Sequence, residues 1–164
     1  MRLISTAASI ASLGLAFAAS AADLPNEIAA KGDMVVLEVH AVGSQIYECK
    51  ADSNGKLGWQ FREPIATLLR DGKTIGRHYA GPTWEIDGSI VVGKVVARVP
   101  GKDNDDIPWL KLDVTDRRGD GPLKDVTTIQ RINTDGGTAE GGCENAGDYR
   151  VESYAADYVF LKKP

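Results

Sequence analysis

Two Asp-Gly pairs constrain this chain more than any other feature. Asp71-Gly72 separates Ile65–Arg70 from Lys73–Tyr79, and Asp87-Gly88 separates Trp84–Ile86 from Ser89–Val99. Asp-Gly between two β-prone runs favours a two-residue hairpin, because both residues accept the positive φ that such a turn needs. Two such turns within twenty residues commit this part of the chain to an antiparallel meander.

The flanking runs agree. Val35, Leu37, Val39 and Ala41 fall on one face of Met34–Val42, with Glu38 and His40 on the other. That alternation is the mark of a half-buried strand. Gln45–Ala51 forms a further run before the turn Asp52-Ser53-Asn54-Gly55. In Ser89–Val99, Val91, Val95, Ala97 and Val99 share a face, and Gly93 marks a bulge or a close approach. Trp109–Thr115, Val126–Asn133 and Tyr149–Leu161 read as later strands. Between them lie the polar loop Pro100–Ile107 and the Gly-rich loop Thr134–Gly147. Only Asn26–Lys31 has helical character, about two turns long. The expectation is all-β: a single-domain antiparallel sandwich or flattened barrel with a short N-terminal helix. Most of the 18 glycines fall in its turns and loops.

The start of the chain reads differently. Arg2 precedes an uncharged run from Leu3 to Ala19, and small residues lead up to Asp23. This is the three-part pattern of a secretory signal peptide over residues 1–22, leaving 23–164 as one β-rich domain. Arg2 leaves with the leader, so 18 basic residues face 23 acidic ones and the charge moves from −4 to −5. An acidic chain lacks the basic face that nucleic acid requires. No later stretch is long or apolar enough to span a bilayer. Export also decides the chemistry of Cys49 and Cys143, the only two cysteines: in an oxidising compartment one disulfide is expected.

Several catalytic patterns are missing. No G-x-G-x-x-G opens a helix, and neither H-E-x-x-H nor G-x-S-x-G occurs. The two histidines stand 38 positions apart, which gives no multi-His metal site. Asp103-Asn104-Asp105-Asp106 has calcium-like acids, but Ile107-Pro108 breaks the pattern and a solvated loop is expected. Neither a metal nor a cofactor is expected.

One stretch gathers chemistry. His78 to Ser89 holds a histidine, two acids, two aromatics and two tight turns. With Pro82 and Thr83 at the centre of the first turn, His78 lies near Asp87; a shorter register sets it opposite Glu85. An acid at the imidazole would raise its pKa and allow general acid–base work, the basis of a hydrolytic reading. A cross-strand ion pair that merely holds the hairpin is the structural reading. Tyr79, Trp84 and Trp109 offer stacking faces for a ring ligand such as a cell-wall sugar. Arg131 and Asn133, two apart on a strand, share a face and suit an anion or carboxylate.

A longer ordered pattern joins these pieces. Tyr47-x-Cys49, His78-Tyr79-x-Gly81-Pro82-Thr83-Trp84-Glu85, Asp87-Gly88-Ser89, Ile107-Pro108-Trp109-Leu110, Ile129-Gln130-Arg131-x-Asn133-Thr134-x-Gly136-Gly137, Cys143 and Tyr154-x-Ala156-Asp157-Tyr158-x-Phe160 follow one another. The chain resembles a bacterial and fungal family of exported proteins classed as a domain of unknown function. The resemblance implies export, a single domain and a linked Cys49–Cys143 pair, and it implies no catalytic residue. The expected role is a non-catalytic ligand-binding or structural module of the periplasm or cell exterior. Its partner class would be a small molecule or a cell-wall sugar, and the alternative is a small hydrolase using His78.

Overall fold

The computed structural model describes residues 24–164; the expected signal peptide lies outside the described residues. Eight strands follow in order: β1 (Met34–Ala51), β2 (Leu57–Arg70), β3 (Lys73–Tyr79), β4 (Thr83–Ile86), β5 (Ser89–Val99), β6 (Trp109–Arg118), β7 (Thr128–Gly136) and β8 (Tyr149–Lys162). Each pairs antiparallel with the next, and β8 pairs back onto β1, which closes the sheet into a barrel. A sandwich is thereby ruled out in favour of the closed alternative. Closure leaves no unpaired sheet edge.

Both Asp-Gly turns form as the sequence predicts. Asp71 and Asp87 take φ of 51° and 41°, and each following glycine is also positive. The first two expected strands are one 18-residue strand, β1. Gly43 sits at its middle, where a Cβ would strike the Ile65 carbonyl oxygen on β2. The gap between the two expected runs is the point where two backbones meet closely. Gly93 behaves as expected, with a register shift beside it and the Trp84 ring packed over its missing side chain.

Between the register shifts, inside and outside alternate along the strands, as in any barrel. Leu37, Val39, Leu68, Trp84, Ile86, Val91, Leu112, Ile129, Tyr158 and Phe160 fill the interior. At the end that carries the Asp-Gly turns, Leu123 and Val126 from the β6–β7 connection are fully buried against these residues and plug the barrel. The plug is pinned by Ser89, whose hydroxyl donates to the Ile86 carbonyl (2.9 Å) and accepts from the Leu123 N–H (3.0 Å).

The segment before β1 lies on the outer wall. Ile28 is fully buried against Ile132, Val159 and Leu161, with Trp109 and Val99 alongside. This explains why β8 ends in a run of apolar residues and does not alternate: both of its faces are covered. The expected helix over Asn26–Lys31 is a single turn, closed by Ile28 and Ala29 N–H groups on the Pro25 carbonyl. The next carbonyls are taken by wall side chains, Ile28 by Gln130 Nε2 (2.7 Å) and Ala29 by Lys111 Nζ (3.0 Å). Those bonds replace the ones a longer helix would have made.

Cys49 and Cys143 form the expected disulfide, with Cα atoms 5.9 Å apart across a sequence separation of 94. It ties the end of β1 to the β7–β8 loop, beside backbone bonds from Cys49 N to Asp148 O and from Gly147 N to Cys49 O. Such a bond is a mark of an oxidising compartment.

Candidate functional site

The two barrel ends differ. One is plugged; at the other, the β3–β4 and β5–β6 loops and the adjoining strand ends line a cavity of about 420 Å³. An eight-stranded barrel has room for side chains alone or for one small ligand, and this one divides its interior between the two.

His78 is at the floor of that cavity, 2% exposed. The hairpin places it there. Tyr79 pairs with Thr83, so Ala80, Gly81 and Pro82 form the loop, with a cis Gly81–Pro82 peptide. Neither register expected from the sequence occurs. His78 stands opposite Trp84, and Glu85 stands opposite Arg77. The imidazole Nδ1 lies 2.8 Å from the Thr83 carbonyl oxygen and donates to it, which leaves Nε2 as the lone-pair atom. Burial pushes the His78 pKa down to about 3, and the nearby Arg131 charge adds to the effect against the pull of the Thr83 carbonyl. The expectation of an acid partner and a raised pKa is therefore corrected. A base that protonates near pH 3 is weak at neutral pH.

The acids are elsewhere. Glu85 is on the outer surface, bonded to Arg77 Nη2 (2.8 Å) and to the Tyr79 hydroxyl (3.3 Å). The Arg77 hydrogen bond holds its carboxyl below the usual range. Asp87 occupies the far hairpin turn. Tyr79 is outside too, under the Arg77 guanidinium (5.1 Å from its ring centroid).

Trp84 and Arg131 do reach the cavity. The Trp84 ring is 1% exposed and meets Tyr158 edge-on at 5.3 Å. Arg131 stands opposite Tyr158 and Leu110, facing inward. Its Nε and Nη2 grip the Pro108 carbonyl at 3.1 and 2.8 Å, which fixes the guanidinium at the rim. Asn133 does not share Arg131's face. Its φ of 49° and the register shift after Ile132 turn it outward, where Nδ2 bonds Asp157 (2.8 Å). His40 bonds the other oxygen of Asp157 on the same outer surface. Trp109 is also outside the barrel, packed with the segment that holds Ile28.

The acidic loop shapes the rim. Asp106 accepts from the Asp103 N–H (2.9 Å) and the Gly136 N–H (2.8 Å). The Asp103 hydrogen bond leads in lowering its pKa. Asp106 thus staples the β5–β6 loop to the end of β7 and delivers Ile107 and Pro108 to the cavity. Among the described residues, no group of three metal-ligating side chains comes together.

Sequence reasoning missed Gln45, Tyr47 and Tyr158. Gln45 keeps the inward phase of Leu37, Val39 and Ala41, and that phase was the available signal. It is 2% exposed and lines the cavity, and its Nε2 has no partner among the described residues. The Trp84 Nε1 is likewise unpartnered and buried. Buried donors without partners are costly, and most native ones are satisfied. Tyr47 bonds the Gly137 carbonyl through its hydroxyl (2.7 Å), and Phe61 packs on its ring at 5.8 Å. An apolar cavity with a few converging polar groups has the make-up of a small-molecule site.

No curated protein matches the chain. No solved structure matches it either. A family does: residues 29–74 and 69–162 match it, together most of the sequence. The chain belongs to the family described as Protein of unknown function (DUF3455).

Proposed function

We propose that this protein is an exported, non-catalytic module that binds one small molecule in the open end of its barrel. The single observation that carries the reading is the cavity itself. About 420 Å³ of space is walled by Trp84, Tyr158, Leu110 and Leu112, and two buried donors on its lining residues, Gln45 Nε2 and Trp84 Nε1, lack partners among the described residues. A purely structural barrel has no use for an interior plugged at one end and left open at the other. The disulfide supports export, as does the leader pattern of residues 1–22.

Thermal-shift screening with phenolics, small carboxylates and cell-wall sugars tests the reading. Binding to the native state alone raises the melting temperature with ligand concentration. At least one class should stabilise the wild type and fail to stabilise Val95→Phe, which fills the cavity from its wall. A screen without any stabilising compound, or hits that Val95→Phe keeps unchanged, would refute it.

A further inference from the structure

The charge around the cavity narrows the ligand class. The whole chain is acidic, yet among the described residues the cavity is lined by Arg62, Arg98 and Arg131 and by no aspartate or glutamate. Arg62 pairs with the neighbouring Glu63 (3.4 Å). Arg98 and Arg131 pair with no carboxylate among the described residues. Both stand opposite Leu110, Arg98 on one side and Arg131 on the other, so one row of cross-strand partners brings two arginines to the cavity lining. They are about two strand spacings apart, roughly 10 Å at the backbone. Long side chains from such positions can converge on one group. Low-dielectric walls strengthen the field of charges held in a cleft.

Gln45 Nε2 and Trp84 Nε1 are donors without partners among the described residues, and Arg131 keeps N–H groups beyond the two that grip Pro108. The lone pair of His78 Nε2 is an acceptor beside them. A neutral sugar offers hydroxyls that also need acceptors, and among the described residues no carboxylate lines the cavity to serve them. A ligand rich in acceptors and poor in donors is the better match. Beneath the arginine row, the walls are aromatic and aliphatic: Trp84, Tyr158, Leu110, Leu112 and Val95.

We infer that the ligand class is a small ring compound carrying one carboxylate, with the carboxylate at Arg131 and Arg98 and the ring below it against Trp84 and Tyr158. This inference rests on the binding reading above and narrows it. Bidentate pairing of guanidinium with carboxylate supplies strength and orientation, and the apolar wall supplies burial.

Calorimetric titration of the disulfide-bonded protein with cinnamate, its neutral amide cinnamamide, and glucose tests the inference. Cinnamate is expected to bind at one site at least ten-fold more tightly than cinnamamide, with glucose weaker still. Arg131→Gln should bring the acid-to-amide ratio close to one. Arg98→Gln, at an exposed position without an ion pair, should lower that ratio in a protein whose fold is kept. Equal binding of acid and amide, or preference for glucose, would overturn the carboxylate class while leaving a binding module in place. Failure of all three probes, in a protein that other compounds from the thermal screen stabilise, would overturn the inference alone. Failure of the whole screen would remove both.

Discussion

The imidazole of His78 lies flat on the indole of Trp84, with ring centroids 4.4 Å apart and planes 13° from parallel. Tyr158 meets both rings edge-on, at 5.1 and 5.3 Å. This aromatic floor closes the cavity from below. It also holds the imidazole neutral, since charging it would place an unpaired cation in an apolar interior.

That neutrality has a pH consequence. The folded-state pKa of His78 is pushed down to about 3, against about 6.5 in the unfolded chain. Between these values the unfolded state binds the extra proton. Stability is therefore full above about pH 6.5 and falls as pH drops toward 3. The slope from this one group approaches about 1.4 kcal/mol per pH unit. In His78→Phe the slope between pH 6.5 and 4.5 should flatten, while stability at pH 7 drops because the Thr83 carbonyl loses its donor. Urea unfolding at a series of pH values measures both. An unchanged slope would contradict the buried neutral imidazole.

The disulfide should carry much of the stability of the open end. Cross-linking residues 94 apart restricts the unfolded chain, and loss of a native disulfide from a small domain costs about 2–5 kcal/mol. The double variant Cys49→Ala/Cys143→Ala should lose an amount in that range by urea titration. Hydrogen exchange should quicken first in the loop after β7, which the bond ties down.

Gly43 and Gly58 make a paired test. An alanine Cβ at Gly43 would come within 2.5 Å of the Ala66 Cα and strike the Ile65 carbonyl oxygen, whereas at Gly58 it meets nothing within 4 Å. Gly43→Ala should cost about 1–3 kcal/mol through forced backbone movement. Gly58→Ala should be nearly neutral. Equilibrium unfolding of the two variants side by side decides it.

The segment on the outer wall is held mainly by Ile28, fully buried against Ile132, Val159 and Leu161. Ile28→Ala should cost about 2–5 kcal/mol. The variant should gain binding of a hydrophobic dye as the wall beneath is uncovered. A variant as stable as wild type would show that the segment rests on the barrel without holding it.

The sequence is readable where physics is local. The two Asp-Gly turns, the alternation of β1 and the bulge at Gly93 are short-range signals, and all three appear in the structure. Ring closure was not readable in the same way, because it depends on β1 pairing with both β2 and β8, and the β8 partners lie more than a hundred residues on. His78 shows the same divide at the site. Its placement in a hairpin was legible, but its partner depended on one residue of loop length, and a one-residue change moves every cross-strand pair. Arg131 reaches the cavity. Asn133 was not separable from it, since the turn of its backbone into positive φ breaks the two-residue rule that joined them. Gln45 was hidden because the expected runs Met34–Val42 and Gln45–Ala51 were separate, whereas the inward phase continues from one into the other through β1.

The most direct test is the set of indole N–H resonances in a ¹⁵N-labelled sample titrated with cinnamate. Only three tryptophans contribute: Trp84 on the cavity wall, Trp109 outside under the Ile28 segment, and Trp59, which does not line the cavity and has its Nε1 on the Gly142 carbonyl (3.1 Å). The account predicts a saturable shift of the Trp84 signal while Trp59 and Trp109 stay in place. A titration that moves Trp59 or Trp109 and leaves Trp84 unchanged would contradict it.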